Sequence, residues 1–295
     1  MKPSKIKILI VGHKDFPFIK DEIYQPIQAG RSISKIKLPK PWIGDDTGEN
    51  ISQKNREYCE LTAMYWAWKN YKKIGNPDYI GLCHYRRYFA LKPRINKKNQ
   101  IYSIIYFYGK KISDKLNLFF LIRKIYRYFL KKSISEEEQK KNFSEFEKNH
   151  LGEINKIKKI IEDYDIILPI RYEVPNPPIK NHYNKYGKVH EEDLKKLEFI
   201  IKKYFPKEKK YLSIVLKSKS AYFCNLFIMK KEVFCRYSKW LFEILAKVED
   251  LLDLEKREGY DRRAIGLLGE ILLNVWIEKN KKKYKIKEMP VISFN

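Results

Sequence analysis

The order of apolar segments in residues 1–91 constrains the fold of this chain most strongly. KIKILIVG predicts a buried strand. NREYCELTAMYWAWKNYKKIG predicts a helix ending at Gly75, and DYIGLCHYRRYF predicts a second buried strand. A strand, a loop, a helix and a strand in this order are typical of a parallel sheet covered by helices. The sequence therefore predicts an α/β fold with a central, mainly parallel sheet.

The rest of the chain continues this pattern after several irregular stretches. Residues 17–50 are punctuated by Pro and Gly and show little periodicity, which predicts a long functional loop. DYDIILPI, AYFCNLFIM and KIKEMPVISF predict further strands. Helices are predicted over 193–204, over 231–252 and in DRRAIGLLGEILLNVWIEKN. The Pro-rich segment between DYDIILPI and the helix at 193 is predicted to be a mobile loop that carries His182 and His190.

The charge of the chain points to an anionic partner. The 62 Lys and Arg residues against 36 acidic residues give a formal net charge of +26. Such an excess suits nucleic acid, an anionic membrane or phosphorylated substrates, and a genomic bias toward Lys and Ile would also produce it. No helix-turn-helix or zinc-finger pattern occurs, so no nucleic-acid partner is expected. The patterns GxGxxG, GxxxxGK[ST], GxSxG and HExxH are absent too, which argues against dinucleotide oxidoreductases, NTPases, α/β-hydrolases and zincin proteases.

Residues 92–160 differ in composition from the rest of the chain. Their first part mixes aromatic and aliphatic residues with many Lys and Arg. The run FFLIRKIYRYFLKK after Leu116 predicts a helix with one apolar and one basic face. Such a helix fits an anionic membrane surface, or its apolar face docks on the body of the protein. An acid-rich stretch follows and predicts a solvated helix. The segment is thus expected to be a basic helical insertion.

Cysteine spacing and hydropathy indicate the compartment. Cys59, Cys83, Cys224 and Cys235 show no CxxC spacing, which argues against a disulfide framework or a zinc site and fits a reducing compartment. The first apolar run, Ile8 to Val11, is too short for a signal peptide or a membrane span. The expected location is the cytoplasm, peripheral on the inner face of the cytoplasmic membrane.

Polar side chains follow several of the predicted strands. They are His13 after the first strand, Asp45, Asp46, Asn50 and Ser52 in the second loop, His84, Tyr85, Arg86 and Arg87 after DYIGLC, and Arg171 after DYDIILPI. In open α/β sheets, ligands bind outside the carboxyl ends of the strands. The sequence therefore predicts a binding site at this edge, and the two arginines favour an anion there.

Two long motifs carry a family resemblance. GDDTGENISQKNREYCELTAMYWAWKN, followed by DYIGLCHYRRYF, resembles the opening of a family of bacterial glycosyltransferases of capsular or exopolysaccharide synthesis, catalogued as domain of unknown function 4422. The resemblance resumes with DYDIILP, NHYNKYGKVHEEDL, NLFIMKKEVF and RRAIGLLGEILLNVWI, and omits residues 92–160. It implies one glycosyltransferase domain over 1–295, a GT-A-like α/β/α sandwich. Residues 1–91 would bind the nucleotide sugar, 92–160 would be the insertion, and 161–295 would face the acceptor.

The resemblance also implies roles at the strand ends. In the GT-A fold an Asp-X-Asp motif usually holds a divalent cation on the donor diphosphate, but here the strand ends in His84, Tyr85, Arg86 and Arg87. The two arginines could hold the diphosphate without a metal, with His84 as a further donor. Alternatively, Asp45 and Asp46 hold Mg²⁺ or Mn²⁺, or the arginines form ion pairs within the fold. The expected cofactor set is accordingly none, with Mn²⁺ or Mg²⁺ as the alternative.

Other positions are further candidates for donor or acceptor contacts. Those expected to contact the donor are His13, Asp46, Asn50, Ser52, His182, Asn225 and Arg263, although Ser52 could equally cap the helix after it. Glu270 is a candidate general base for the acceptor hydroxyl, or else it pairs with Arg263 two helical turns away. Asp193, Glu192 and His84 are alternatives for the catalytic role.

The expected activity is transfer of a hexose from a UDP-sugar to a lipid-linked or oligosaccharide acceptor of capsule, lipopolysaccharide or exopolysaccharide. The resemblance suggests galactose, as pyranose or furanose. Inversion at the anomeric carbon is preferred over retention, although no residue decides between them. One alternative is a non-catalytic module that binds anionic glycan or nucleic acid through its basic surface. Another is a transferase of phosphate or a different group to glycans.

Overall fold

The computed structural model describes residues 3–92, 136–174, 178–184 and 189–294. The predicted basic helix after Leu116 lies outside these residues, as does most of the predicted insertion. Among the described residues, no helix combines the length and the apolar character needed to cross a membrane.

A central sheet organises the fold, and its main path has the order β10-β6-β9-β4-β1-β2-β3. Strand β9 is antiparallel to both of its neighbours, and the other six strands run in one direction. Strands β5 and β11 extend the sheet beside β4, and β7 pairs with β8 in a separate two-stranded sheet. The strands are β1 (Ile6–Gly12), β2 (Tyr24–Gln28), β3 (Ile43–Gly44), β4 (Tyr79–His84), β5 (Arg87–Phe89), β6 (Ile166–Pro169), β7 (Tyr172–Glu173), β8 (Ser220–Ala221), β9 (Phe227–Lys230), β10 (Ile286–Met289) and β11 (Val291–Ser293).

Helices cover both faces of the sheet. They are α1 (Asn55–Tyr58), α2 (Leu61–Asn70), α3 (Glu136–Glu162), α4 (Ile179–His182), α5 (Glu191–Tyr204), α6 (Lys209–Lys217), α7 (Lys231–Glu249) and α8 (Ala264–Asn280). One buried cluster joins alternate strand residues, such as Leu9 and Leu82, to α2 and α5–α8. A second joins Ile8, Ile10 and Cys83 to α3 on the opposite face. The predicted α/β/α sandwich is confirmed, because alternate side chains of each strand serve opposite layers.

Helix α3 corrects the expectation of a solvated helical region. Phe143, Phe146, Ile157 and Ile161 are each less than 5% exposed and pack in the second buried cluster. The acid-rich sequence also contains apolar residues at helical spacing. They form one apolar stripe, with which α3 covers one face of the sheet.

The single helix predicted from Asn55 is two helices. Cys59 has a φ of 52°, in the left-handed region, and separates α1 from α2. The side-chain amide of Asn55 donates hydrogen bonds to the Cys59 carbonyl (2.7 Å) and to Oγ1 of Thr62 (3.0 Å), which hold the break in place. After α2 the chain continues in a 3₁₀ turn, Tyr71–Ile74, and Gly75 ends it at a φ of 88°, as predicted.

Two predicted strands also contain turns. DYIGLCHYRRYF folds as β4 and β5 joined at Tyr85 and Arg86, with His84 opposite Arg87. AYFCNLFIM breaks at Cys224 and Asn225, which both have positive φ, so Asn225 lies in a turn and not in mid-strand. In addition, the loop predicted over 17–50 contains β2 and β3, and α6 has no counterpart in the prediction. Each turn places polar side chains beside the same cavity.

Candidate active site

A cavity of about 970 Å³ opens beyond the carboxyl ends of β1 and β4. The chain leaves β1 toward β2 on one side and returns to its other side as β4, so the strand order reverses here. Open α/β sheets bind ligands at such a switch point. The cavity is lined by Val11, Gly12, His13, Ala29, Asn55, Arg56, Cys59, Glu60, His84, Arg86, Arg87, Cys224, Arg257, Glu258, Gly259, Tyr260, Arg262, Arg263, Leu267 and Glu270.

The turn between β4 and β5 brings Arg86 and Arg87 to the cavity. Tyr85 is 1% exposed and anchors the turn by packing its ring edge-on against Phe16 at 5.3 Å between centroids. The backbone N–H of Phe294 donates to the Arg86 carbonyl at 2.9 Å. Within the described residues neither guanidinium forms an ion pair, and Nε of Arg86 is buried without a hydrogen-bond partner. Two cationic side chains at the cavity are thus available to an anion.

Two carboxylates, Glu60 and Glu270, also line the cavity. Glu60 follows the break at Cys59, and Glu270 projects from α8. Burial, and then the charge of Glu60, raise the pKa of Glu270 to about 7. The phenol of Tyr183 donates to Oε2 of Glu270 at 3.0 Å and partly opposes this rise. Burial raises the pKa of Glu60 as well. A carboxylate with a pKa near 7 is suited to accept a proton at neutral pH.

Asn225 positions Glu60. Its side-chain nitrogen lies 2.8 Å from Oε1 of Glu60 and 3.4 Å from the carbonyl of Gly266. The left-handed turn at Cys224 and Asn225 directs the amide toward Glu60, and the backbone N–H of Cys224 hydrogen-bonds the carboxylate of Glu270. One turn therefore holds both carboxylates.

The two histidines of the cavity are held in the neutral form. Burial, followed by the charges of Arg87 and Arg86, lowers the pKa of His84 to about 3. Burial and neighbouring cations also lower the pKa of His13. Nδ1 of His84 is buried and has no hydrogen-bond partner among the described residues. A neutral imidazole in this place can donate one hydrogen bond to an anionic ligand.

Three further arginines line the cavity from the segment between α7 and α8. Arg257 donates two hydrogen bonds, of 2.8 and 2.6 Å, to the fully buried carboxylate of Asp193. Arg262 pairs with Glu57, and Nε of Arg263 lies 3.1 Å from Sγ of Cys59. Arg263 does not form an ion pair with Glu270, although its charge lowers the pKa of that carboxyl. These contacts orient the guanidiniums before any ligand binds.

Several predicted site residues lie together at the cavity, and others serve its surroundings. His13, His84, Arg86, Arg87, Arg263 and Glu270 line the cavity. Tyr85 and Asn225 lie directly behind it, and Asp193 contacts it only through Arg257. The ring of His182 packs against Phe223 at 5.3 Å, outside the lining.

The predicted loop residues Asp45, Asp46, Asn50 and Ser52 form a separate cluster. The carboxylate of Asp45 is fully buried and accepts hydrogen bonds from N–H of Gly30 (2.8 Å), N–H of Arg31 (3.0 Å) and Oγ of Ser52 (2.5 Å). Asp46 lies 3.9 Å from Arg31, and Oδ1 of Asn50 accepts from the Ser52 backbone. This cluster ties the loops around β3 together. Among the described residues, no group of three or more His, Cys, Asp or Glu side chains is arranged to hold a metal ion.

The site predicted from the sequence does not include Glu60 or Arg257. Both line the cavity. The only local sign of Glu60 was a charged residue between apolar ones in YCELTAM. Arg257 lies in a polar loop without periodicity, so the sequence held no comparable sign of its position.

Comparison with known proteins places this geometry in a family. None of the curated proteins matches the chain. The apo structure of WbbM, a bifunctional glycosyltransferase, superposes with a TM-score of 0.71 at 27% sequence identity. The match covers 99% of this chain but 46% of WbbM, so the chain spans about half the length of that protein. The family model described as domain of unknown function DUF4422 matches residues 7–281. The chain therefore belongs to the DUF4422 family, as its motifs predicted.

Proposed function

We propose that this protein is a glycosyltransferase that moves a hexose from a UDP-sugar to a glycan acceptor. The observation that carries the proposal is one cavity at the switch point of the sheet, lined both by Arg86 and Arg87, which form no ion pair within the described residues, and by the carboxylates Glu60 and Glu270. Similarity to a part of WbbM, a glycosyltransferase, supports the same activity class. Galactose, in pyranose or furanose form, is the first sugar to test.

The reaction needs a leaving-group site and a base, and the cavity offers both. The acceptor hydroxyl oxygen forms a bond to the anomeric carbon of the donor, and the bond from that carbon to the diphosphate oxygen breaks. The electron pair leaves with the nucleoside diphosphate, where Arg86 and Arg87 stabilise the added charge. The acceptor proton passes to the carboxylate of Glu270, whose pKa of about 7 makes it an effective base near neutral pH. The stereochemistry proposed for this step is inversion, with the acceptor attacking opposite the diphosphate.

The arginine pair is proposed to take the place of a divalent cation. It supplies two positive charges and needs no metal-binding side chains. The Asp45 carboxylate, one of the two possible metal ligands, already accepts three hydrogen bonds. The alternative, Mn²⁺ or Mg²⁺ held by Asp45 and Asp46, would require those hydrogen bonds to rearrange. His84 adds a hydrogen-bond donor beside the arginines, and His13 lines the same part of the cavity.

The proposed acceptor is a lipid-linked glycan of capsule, lipopolysaccharide or exopolysaccharide. An enzyme for such an acceptor works at the inner face of the cytoplasmic membrane. The net charge of +26 suits an anionic membrane surface.

Thermal unfolding with UDP, GDP, CDP and their sugars, each with EDTA or with Mn²⁺, tests the proposal. A ligand that binds only the native state raises the unfolding midpoint. We expect UDP or a UDP-sugar to raise it in EDTA, and the variant Arg86→Ala/Arg87→Ala to lose the shift. The exposed Lys72→Ala variant serves as the control and should keep it.

Other outcomes point to the alternatives. A shift that requires Mn²⁺ and disappears in Asp46→Asn would favour the metal site. A protein that responds to no nucleotide, and instead binds generic nucleic acid or anionic glycan with steep salt dependence, would be a binding module. Stabilisation by a nucleotide whose transferred group is not a sugar would indicate a different group transferase.

A further inference from the structure

A groove on the outer face of α5 and α6 combines lysines with exposed apolar surface. It has a volume of about 720 Å³ and is separate from the catalytic cavity. Five lysines line it, and Glu198 is its one acidic lining residue; the lysines are Lys180, Lys195, Lys202, Lys209 and Lys217. A lining with this excess of positive charge favours an anionic partner over a neutral or cationic one.

The charges of the groove are largely uncompensated within the described residues. Lys180 and Lys195 share Glu191, at 3.6 and 3.9 Å, and such exposed pairs contribute little. Lys202, Lys209 and Lys217 form no ion pair in the described part of the chain. The groove thus presents at least three free ammonium groups.

The two helices also expose apolar side chains that a surface helix normally buries, one of them in the groove. Phe199 lines the groove and is 51% exposed, and Ile214 on α6 is 49% exposed. Both helices already bury a complete apolar stripe, including Leu197, Ile201 and Leu212, against the core. Phe199 and Ile214 are therefore additional to the core-facing stripe, and packing does not explain them.

We propose that this α5–α6 groove binds an anionic membrane surface. Lysine ammonium groups around an exposed aromatic ring are the pattern of an interfacial protein face, since the ring enters the headgroup boundary while the cations meet anionic lipids. The undescribed segment 93–135 is a poor occupant because it is itself rich in Lys and Arg, with Asp114 as its one acidic residue. Helix α5 also carries Asp193, the ion-pair partner of the cavity residue Arg257, so membrane contact would hold the cavity near lipid-linked acceptors.

Flotation with vesicles of phosphatidylcholine, alone or mixed with phosphatidylglycerol, tests the proposal on the full chain. The wild-type protein should float with the mixed vesicles only, and less so in high salt. The variant Lys202→Gln/Lys209→Gln should bind them roughly 25-fold more weakly, at about fivefold per lysine. Phe199→Ser should also weaken binding.

Control variants make the same changes in charge and hydropathy outside the groove. Lys239→Gln/Lys282→Gln removes the same charge elsewhere, and Ile36→Ser removes an apolar side chain that is 71% exposed in a distant loop. Both should bind as the wild type does. All variants should keep the unfolding midpoint and its shift with UDP, which separates failure of this proposal from failure of the proposed activity.

Three results would overturn the proposal. One is absence of wild-type binding to anionic vesicles. Another is equal binding by the groove variants and their controls, which would place membrane contact elsewhere. The third is a groove-specific loss of binding to nucleic acid or an acidic protein with vesicle binding unchanged.

Discussion

The side-chain amide of Asn225 donates a 2.8 Å hydrogen bond to Oε1 of Glu60, across 165 positions of the chain. The bond joins the turn before β9 to the first residue after the break between α1 and α2. It brings the acceptor-side half of the predicted domain into contact with the nucleotide-side half at the cavity. Removing it tests whether the position of Glu60 matters.

Asn225→Gly should destabilise the protein by about 1–3 kcal/mol, because the partly buried carboxylate of Glu60 loses a hydrogen bond. Glycine is the right replacement, since the φ of 48° at this position would strain alanine. Denaturant unfolding measures the loss, and transferase assays should show kcat falling more than KM rises. Wild-type kinetics in this variant would mean that Glu60 needs no positioning.

Glu270→Gln should remove a pH dependence of both stability and activity. The folded pKa of about 7 lies above the ordinary value of 4.5. The stabilisation that comes from the protonated Glu270 carboxyl is therefore complete below pH 4.5 and is lost as the pH rises through 7. The variant should therefore unfold at a higher temperature than the wild type at pH 8 and at a similar temperature at pH 4.5. Thermal unfolding across this range checks the sign without any substrate.

The activity of the enzyme should change with pH in the opposite direction to its stability. Wild-type kcat/KM should rise with pH through about 7, as the base ionises, and Glu270→Gln should be nearly inactive at every pH. Equal loss of stability in the wild type and the variant between pH 5 and 8 would contradict the buried, raised carboxyl. A variant that keeps its transferase rate would exclude Glu270 as the base.

Asp193→Asn should destabilise the protein by roughly 3–5 kcal/mol, because it leaves the Arg257 guanidinium without its buried partner. Asp193 is fully buried and Arg257 is 16% exposed, so water cannot readily replace the lost contact. Denaturant unfolding gives the free energy, with Glu192→Gln on the exposed side of α5 as the neighbouring control. A variant that loses activity at unchanged stability would favour the catalytic role of Asp193 that the sequence suggested.

Asp45→Asn and Asp46→Asn should behave differently although the residues are adjacent. The Asp45 carboxylate accepts three hydrogen bonds, so its neutralisation should cost about 1–3 kcal/mol in EDTA and in Mn²⁺ alike. Asp46 makes a long, partly exposed pair with Arg31, and the loss of stability in Asp46→Asn should be small. Unfolding in both buffers checks this. A cost for Asp45→Asn that appears only with Mn²⁺ would favour a metal there.

Local patterns predicted the central sheet and most of its helices, but not that α3 covers one face of the sheet. Short apolar runs identified β1, β4 and β6, helical spacing identified the long helices, and the strand-helix-strand order predicted a mainly parallel sheet. The same logic predicted that His13, His84, Arg86 and Arg87 would meet, since the ends of parallel strands share one edge. These features depend on neighbours in sequence, which a pattern can record.

The tertiary structure alone decided which carboxylates share the cavity. Glu60 enters it because the helix breaks at Cys59, and Asn225 reaches Glu60 because AYFCNLFIM turns where a strand was predicted. From the sequence, Asp45 and Asp193 are as plausible as Glu60 as site carboxylates. In the structure, however, both accept hydrogen bonds from other side chains, Ser52 and Arg257. Burying a polar group without a hydrogen-bond partner is costly, and the partners that remove this cost lie far away in the chain. No local sequence pattern could therefore show which carboxylates face the cavity.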